Sequence, residues 1–287
     1  LMASGVLVVD KEAGWTSHDV VARLRGVLHE RRIGHAGTLD PMATGVLPVL
    51  VGRATRAMEF LEHGEKTYEA ALRLGVVTDT QDVTGTVLET HRTDVSPETL
   101  ERALGAFRGD ILQIPPMYSA VKIGGKKLYE LARAGKEIER KPRPVTILRL
   151  VCTGRAENGD WLLTVTCSKG TYIRTLCHDI GAALGCGGAL AALRRTAAAG
   201  FTLGDAVTLW DVEREGASLL RPVDVCFARY PSLTLDAARE RLCRNGNAFS
   251  ADAPDGRVRA YAPDGTFLML GEVKNGRVTT VKSFFEV

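Results

Sequence analysis

The sequence predicts an α+β fold: a mixed, mainly antiparallel sheet with flanking helices, followed by a small β-rich C-terminal domain. Three observations carry that prediction. Runs of alternating apolar residues are interleaved with runs at helical spacing. The gaps between them have the length and turn residues of hairpins rather than of parallel crossovers. Beyond residue 230 lie short strands joined by Pro263-Asp264-Gly265 and Lys274-Asn275-Gly276 turns. The 287 residues are 45% hydrophobic and 25% charged, the proportions of a globular chain long enough for one large domain and a smaller one.

The first element is a strand at Gly5-Val6-Leu7-Val8-Val9-Asp10. Thr16-Ser17-His18-Asp19 then supplies N-cap chemistry for a helix with Val20, Val21, Leu24, Val27 and Leu28 on one face. Residues 33–52 have no clean period. Gly34, Gly37, Pro41, Gly45, Pro48 and Gly52 make them a shaped loop around a short apolar piece, and long ordered loops in compact domains are usually functional. Alternation predicts strands over 67–75 and 85–91, and Ser96-Pro97-Glu98 opens a helix with Leu100, Ala103, Leu104 and Phe107 at its spacing. A short helix over 127–134, closed by Gly135, precedes strands near 145–155 and 161–168. Helices are expected near 172–184 and 189–195, with a last helical turn at 209–214. Residues 220–231 read as a linker between a domain at 1–230 and a second at 231–287, the latter opening with a helix over 236–244 that Asn245-Gly246 ends.

A net charge of +3 is too small to announce a polyanion-binding surface, yet the charge is unevenly divided. Between Lys122 and Arg149 nine basic residues stand against three acidic ones, a net of +6, and between Gly75 and Asp110 the net is −4. A solvated face is the ordinary explanation of such runs. Tyr118, Tyr129 and two prolines interleaved with the basic run strengthen the alternative, a nucleic-acid contact surface, since stacking rings and cations together grip single-stranded or looped RNA. The uncharged stretch 181–193 is shorter than the roughly 18 residues that span a bilayer. Residues 1–5 put no basic group ahead of the short apolar run, unlike a signal peptide, so a cytoplasmic protein with no membrane partner is expected.

The six cysteines form no CxxC pair, which argues against a zinc ribbon or a disulfide framework and for buried thiols. The chain has neither HExxH nor a P-loop, and Gly185-Cys186-Gly187-Gly188 fails to complete GxGxxG because residue 190 is leucine. No metal is expected. Cys177-His178-Asp179 occupy consecutive helix positions, which do not face one another, so a buried Cys177 beside a surface His178 is preferred over a nucleophile–base array.

The segment Gly34-His35-Ala36-Gly37-Thr38-Leu39-Asp40-Pro41-Met42-Ala43-Thr44-Gly45-Val46-Leu47-Pro48 is the most informative in the chain. Asp40 precedes a proline, which biases its backbone toward an extended conformation, and the flanking glycines let the loop approach a ligand closely. A carboxylate so presented can cap a helix, ligate a metal or act as a nucleophile, and from the residues alone capping is the default. The segment resembles the GH-x-G-x-LDP-x-A-x-G-x-LP motif of the TruB family of tRNA pseudouridine synthases, in which the aspartate is catalytic. Asp10-Lys11-x-x-Gly14-x-Thr16-Ser17-His18-Asp19 is similar to that family's N-terminal motif, and Lys66-Thr67-Tyr68 to its K-x-Y motif. Leu74-Gly75-x-x-Thr78-Asp79-Thr80-x-Asp82-x-x-Gly85, Gln113-x-Pro115-Pro116-x-Tyr118-Ser119-Ala120-x-Lys122 and Gly125-Lys126-x-Leu128-Tyr129 follow in family order. Ser168-Lys169-Gly170-Thr171-Tyr172-Ile173-Arg174 and Leu193-Arg194-Arg195 complete the set, which covers roughly residues 4–230. Glu12-Ala13 departs from the family, which commonly has proline after the lysine, at an outer loop.

The resemblance implies a pseudouridine synthase-like catalytic domain that isomerises uridine to pseudouridine at position 55 in the T-loop of tRNA. In that reaction the C1′–N1 bond breaks, the uracil turns and a C1′–C5 bond forms. It implies that Asp40 acts as an ionised carboxylate, and three routes are open to such a group: attack at uracil C6, attack at ribose C1′, or abstraction of a ribose proton. Arg174 looks like its partner, and Asp82 like a second carboxylate on the same arginine. Tyr68 resembles the residue that stacks on the target base, and Tyr172 the one near uracil C5. His35 looks like the histidine that fills the space of the extruded nucleotide. Lys11, Asp82 and Leu193 are grouped with the RNA-contacting residues, as are Lys122, Lys126, Lys127, Arg140, Lys141 and Arg143 for phosphate. The reaction has no redox change and loses no leaving group, so no cofactor is expected. The expected partner is the T-arm of tRNA, bound by a monomer, and residues 231–287 look like the family's RNA-binding PUA domain. Two rivals are a non-catalytic RNA chaperone and a hydrolase built on Cys177.

Overall fold

The computed structural model describes residues 3–119 and 121–285, with the side chains of Lys122, Ile123 and Lys127 outside that description. It opens on β1 (Gly5–Lys11), whose apolar run is buried on both faces: Val6 and Val8 belong to one hydrophobic cluster, Leu7 and Val9 to another. Two-sided burial is why the run does not alternate with polar residues. In α1 (Ser17–Leu28) the Thr16 hydroxyl accepts from the Asp19 amide and the Asp19 carboxylate accepts from the Thr16 amide, a capping box that satisfies two otherwise unpaired donors.

The loop expected over 33–52 is confined to 36–43. Its flanks form β2 (Ile33–His35) and β3 (Thr44–Val51). Pro48 sits within β3 because of where its partners end. Its carbonyl accepts from Ala36 N at 2.9 Å, so the missing N–H lies on the β2 side, and β2 pairs only with residues 49–51.

The chain continues through α2 (Met58–Leu61), β4 (Lys66–Leu74), the pair β5 (Val76–Thr78) and β6 (Val87–Thr90), and α3 (Pro97–Gly105). Next come β7 (Gly109–Gln113), the hairpin β8 (Lys122–Ile123) and β9 (Lys126–Lys127), and α4 (Leu128–Arg133). Then follow β10 (Arg143–Arg155), β11 (Trp161–Cys167), α5 (Ile173–Ala183), β12 (Gly188–Ala198), β13 (Phe201–Thr202) and α6 (Leu209–Glu215). The main sheet runs β1-β3-β12-β4-β11-β10-β7, with β2 beside β3 and β13 beside β12. Every pairing in it is antiparallel except β3 with β12. Helices α1, α3 and α5 bury Leu24, Leu104, Leu176 and their neighbours against Leu72, Leu163 and Val165 of the sheet, each fully buried aliphatic contributing about 1.5–3 kcal/mol.

The helix expected at 189–195 is instead the central strand β12. Leu190 and Leu193 are three residues apart and both face the same core, which is helical spacing. The cause is a register shift between Leu190 and Ala192 in the pairing with β4: the extra residue brings both leucines to one face. Tertiary pairing on both sides overrides the helix propensity of the alanines and leucines.

The stretch 220–231, expected as a linker, is packed. Arg221 exchanges backbone hydrogen bonds with Val6, residues Val223–Phe227 form a 3₁₀ turn, and Phe227 is buried. Beyond it, β14 (Ser232–Thr234), α7 (Ala237–Arg244), β15 (Phe249–Ser250), β16 (Gly256–Tyr261), β17 (Phe267–Lys274) and β18 (Arg277–Ser283) make a second sheet in the order β14-β16-β17-β18-β15. It has its own apolar cluster around Leu268 and Val273, and it shares a second one with the main domain, where Phe227 meets Phe60, Phe267 and Phe284.

Candidate active site

The loop between β2 and β3 carries Asp40, and three groups hold it. Leu39 N–H donates to Ser17 Oγ at 2.9 Å, and the Ser17 hydroxyl donates back to Leu39 O at 3.2 Å, which ties the loop to the first turn of α1. Lys11, at the end of β1, is fully buried and its ammonium donates to Trp15 O at 2.6 Å, Glu12 O at 2.9 Å and Pro41 O at 3.3 Å. Burial lowers the Lys11 amine to about 8, with Asp40 working in the opposite direction. The resemblance places Lys11 among the RNA contacts. Its burial and its three carbonyl partners make it a clamp on the loop instead.

The third group is Arg195, which is fully buried on β12. Its guanidinium donates to Val46 O at 2.7 Å, Gly37 O at 2.8 Å and Thr38 O at 3.5 Å. Gly45 lies against it: a Cβ there would stand 2.1 Å from Arg195 O, and φ is +103°. Only glycine lets β3 and β12 approach this closely with that backbone. The motif Leu193-Arg194-Arg195 is visible in the sequence, but nothing in it says which arginine turns inward. The other, Arg194, pairs with Asp10 at 2.9 Å and 3.1 Å on the opposite face.

Arg174, on the first turn of α5, gathers the loop and two further segments. Its Nε lies 2.8 Å from Asp40 Oδ2 and 4.0 Å from Asp82 Oδ2. The first contact is an ion pair by distance, with the Nε–H not aimed along it, and the directed hydrogen bond to Asp40 is Nη2 to Oδ1 at 3.4 Å. Nη1 donates to Thr80 O at 3.0 Å and Nη2 to Tyr118 O at 2.8 Å. The Arg174 side chain is 5% exposed and that of Asp40 39%, so a buried cation presents a carboxylate to solvent. Asp82 is buried, and its Oδ1 accepts from Thr80 Oγ1 at 3.0 Å and Thr84 N at 2.9 Å. Buried in this way, Asp82 holds Arg174 and is not a surface contact for RNA.

Tyr68 projects from β4 opposite Arg195 and is 6% exposed. Burial raises its phenol above the ordinary range, and the adjacent Arg195 guanidinium opposes that rise. Tyr172 caps α5 and is half-buried; buried Gln113 grips its peptide, Oε1 accepting from Tyr172 N at 2.9 Å and Nε2 donating to Tyr172 O at 3.2 Å. His35 on β2 has a buried Nδ1 with no partner among the described residues, and burial followed by Arg195 and His18 lowers its pKa, which favours the neutral ring. Leu193 lies beside Ala70 on the core face of the sheet.

Of the expected phosphate contacts, Arg140, Lys141 and Arg143 converge on a cavity of about 250 Å³, also lined by Pro115, Val121 and Leu128. Lys126 is exposed on the β8–β9 hairpin, and the side chains of Lys122 and Lys127 lie outside the described residues. A larger cavity, about 540 Å³, is lined by Met42, Glu69, Leu162, Leu193 and Arg194 among others but not by Asp40. Size alone therefore does not locate the chemistry. The candidate site is the accessible Asp40 carboxylate beside buried Arg174. Among the described residues no group of three His, Cys, Asp or Glu side chains could hold a metal ion.

Two family models match the chain: TruB family pseudouridylate synthase (N terminal domain) over residues 25–173, and tRNA pseudouridylate synthase B C-terminal domain over residues 174–227. Their junction falls in α5, between Ile173 and Arg174, well before residue 230. Among similar curated proteins, tRNA pseudouridine synthase B of Thermobifida fusca is 44% identical, with 99% of both chains covered. The protein of the same name from Streptococcus thermophilus (strain CNRZ 1066) is 48% identical over 91% of this chain and 92% of its own. Among solved structures, a Cbf5-Nop10-Gar1 complex includes a chain 27% identical, with a TM-score of 0.73, covering 99% of this chain and 86% of that one. An H/ACA RNP bound to a substrate RNA containing 2′-deoxyuridine has the same fold, with a TM-score of 0.74 at 24% identity and the same coverage. A family model over more than half of the residues, and relatives this similar over nine-tenths of the chain or more, agree with the motif order and the Asp40 loop: the chain belongs to the TruB family of pseudouridylate synthases.

Proposed function

We propose that the protein isomerises uridine to pseudouridine in tRNA, at position 55 of the T-loop, with Asp40 acting on an extruded uridine. The observation that carries this reading is the Arg174–Asp40 contact of 2.8 Å, in which a buried guanidinium orients a solvent-facing carboxylate. Similar curated proteins bear the name tRNA pseudouridine synthase B, which supports tRNA as the substrate. The rigid clamp on residues 37–41 suits an attacking or proton-abstracting group, because placement within a fraction of an ångström governs such steps. A uridine inside a folded loop must leave its stack to meet Asp40, and neutral His35 beside the loop suits the vacated space. Tyr172, fixed through its peptide by Gln113, is the group we assign to the C5 side of the uracil, and Tyr68 to its face.

The C5 proton passes to solvent as the C1′–C5 bond forms, while N1 gains a proton, so the reaction is balanced without a co-reactant. Catalysis resides in residues 1–230 and the sheet of 231–287 holds RNA; the protein acts as a cytoplasmic monomer. Among the described residues no helix is long and apolar enough to cross a membrane. Release of tritium from a tRNA transcript labelled at uridine C5 tests the assignment. The Asp40→Asn protein is expected to release none while still binding tRNA in a filter assay. Undiminished release by that variant refutes the role of Asp40.

A further inference from the structure

Lys66 opens β4 two residues before Tyr68, where the strand lies between Cys167 of β11 and Ala198 of β12. Its stem crosses the Asp40 loop: a Cβ built on Gly37 would stand 3.2 Å from Lys66 Cε and 3.3 Å from Arg195 Nη1. Two cationic side chains thus meet over the backbone three residues before Asp40. Lys66 is half-buried, and among the described residues its ammonium has no hydrogen bond and no ion pair. On the same rim Lys169, exposed in the turn from β11 to Tyr172, donates to His63 Nδ1 at 2.5 Å. That bond leaves the His63 proton on Nε2, a second donor at the rim.

Burial depresses the Lys66 amine below its ordinary range, with Arg195 as the next cause and Lys169 adding to it, against raising contributions from Cys167 and Glu62. Gathering cations with no carboxylate in contact is unfavourable in the protein alone and becomes favourable when an anion joins them. Lysine ammonium groups bind phosphate as point charges, without the fixed fork geometry that arginine imposes. A nucleotide swung out about its backbone needs its flanking phosphates held at the mouth of the site.

We propose that Lys66 and Lys169, with His63, form a phosphate subsite that grips the RNA backbone beside the extruded uridine. This inference rests on the reading under Proposed function. The test uses full-length protein with Lys66→Met, which keeps the stem over Gly37, and Lys169→Met. Each variant is expected to raise KM about tenfold, as loss of one charge-assisted hydrogen bond does, with kcat falling less than about threefold. The slope of log KM against log salt is expected to drop by about 0.7 per lost contact. RNA carrying one neutral methylphosphonate linkage next to the target uridine should weaken the parent protein by the same factor and add nothing to the Lys66→Met penalty. Penalties that add in full at every linkage overturn the inference, as does a kcat loss at unchanged KM. Inorganic phosphate that raises the melting temperature of the parent but not of Lys66→Met, with KM unchanged in the variant, identifies a free-phosphate site and overturns it as well. Fluorescence anisotropy of labelled RNA separates the two readings. Weakened binding by the variants without turnover by any protein removes the isomerase and keeps the subsite, whereas intact turnover with unchanged binding removes the subsite alone.

Discussion

Replacing Arg174 probes the site most directly, because the structure gives each of its contacts a value. In Arg174→Lys a single nitrogen replaces Nη1 and Nη2, which separately hold Thr80 O at 3.0 Å and Tyr118 O at 2.8 Å, so the charge is kept and one of the two carbonyl bonds is lost. A buried bond to a charged donor contributes about 1.5–3 kcal/mol. The Asp40 contact adds less than about 1 kcal/mol, since that carboxylate is 39% exposed and screened. The lysine variant is therefore expected to be about 2 kcal/mol less stable. Arg174→Met also leaves Asp82, whose side chain is 8% exposed, without its cation, and breaking a buried pair from one side costs about 3–5 kcal/mol. Urea unfolding followed by circular dichroism reads both values from the shift in midpoint at constant slope, about 1 M or less for lysine and more for methionine. Turnover should fall further than stability, by about a hundredfold or more in kcat/KM for the folded lysine variant, because Asp40 loses its fixed orientation. A methionine variant within about 0.5 kcal/mol of the parent, or a lysine variant with undiminished turnover, refutes the assignment of Arg174 as the organiser of the loop.

Gly181→Ala, in the interior of α5, should destabilise although helix propensity alone predicts a gain of about 1 kcal/mol, because its Cβ would stand 2.1 Å from Gly188 N. Gly26→Ala in α1, with nothing within 4 Å, should show the gain in the same thermal melts. Lys11 titrates near 8 in the folded protein and at 10.5 ordinarily, so between those values the unfolded chain binds more protons and stability rises with pH. The difference in unfolding free energy between the parent and Lys11→Met should therefore change by up to about 1.4 kcal/mol per pH unit in that window, and a flat difference counts against the buried amine. Burial pushes the thiols of Cys177 and Cys226 up to about 12 and those of Cys167 and Cys243 to about 11. Iodoacetamide at neutral pH should leave all four unmodified by mass spectrometry and turnover unchanged. Labelling of Cys177 with loss of activity would revive the hydrolase.

What was legible in the chain was chemistry between near neighbours. Thr16 and Asp19 announce the start of α1, Ser96-Pro97 that of α3, and Asp236 that of α7, because a cap is made by residues three apart. Asn275 and Gly276, with φ of +50° and +70°, mark the β17–β18 turn for the same reason. The Asp40 segment was recognisable because its residue types stand in a fixed linear order. The helix expected at 189–195 failed because a register shift in β12 imitates helical spacing, and the strand β3 was hidden by a proline whose missing donor falls where no partner needs it.

The sequence by itself determined the caps, the turns, the class of fold and the family, all of which depend on residue types at short or fixed separations. Only the tertiary structure decided which charged groups are buried. Lys11 turned inward to the loop, Arg195 rather than Arg194 entered the core, and Arg174 met Asp40 across 134 residues of chain. Those outcomes depend on which carbonyls and carboxylates the sheet brings within about 3 Å of a desolvated cation, and that is set by strand order and register rather than by any local pattern.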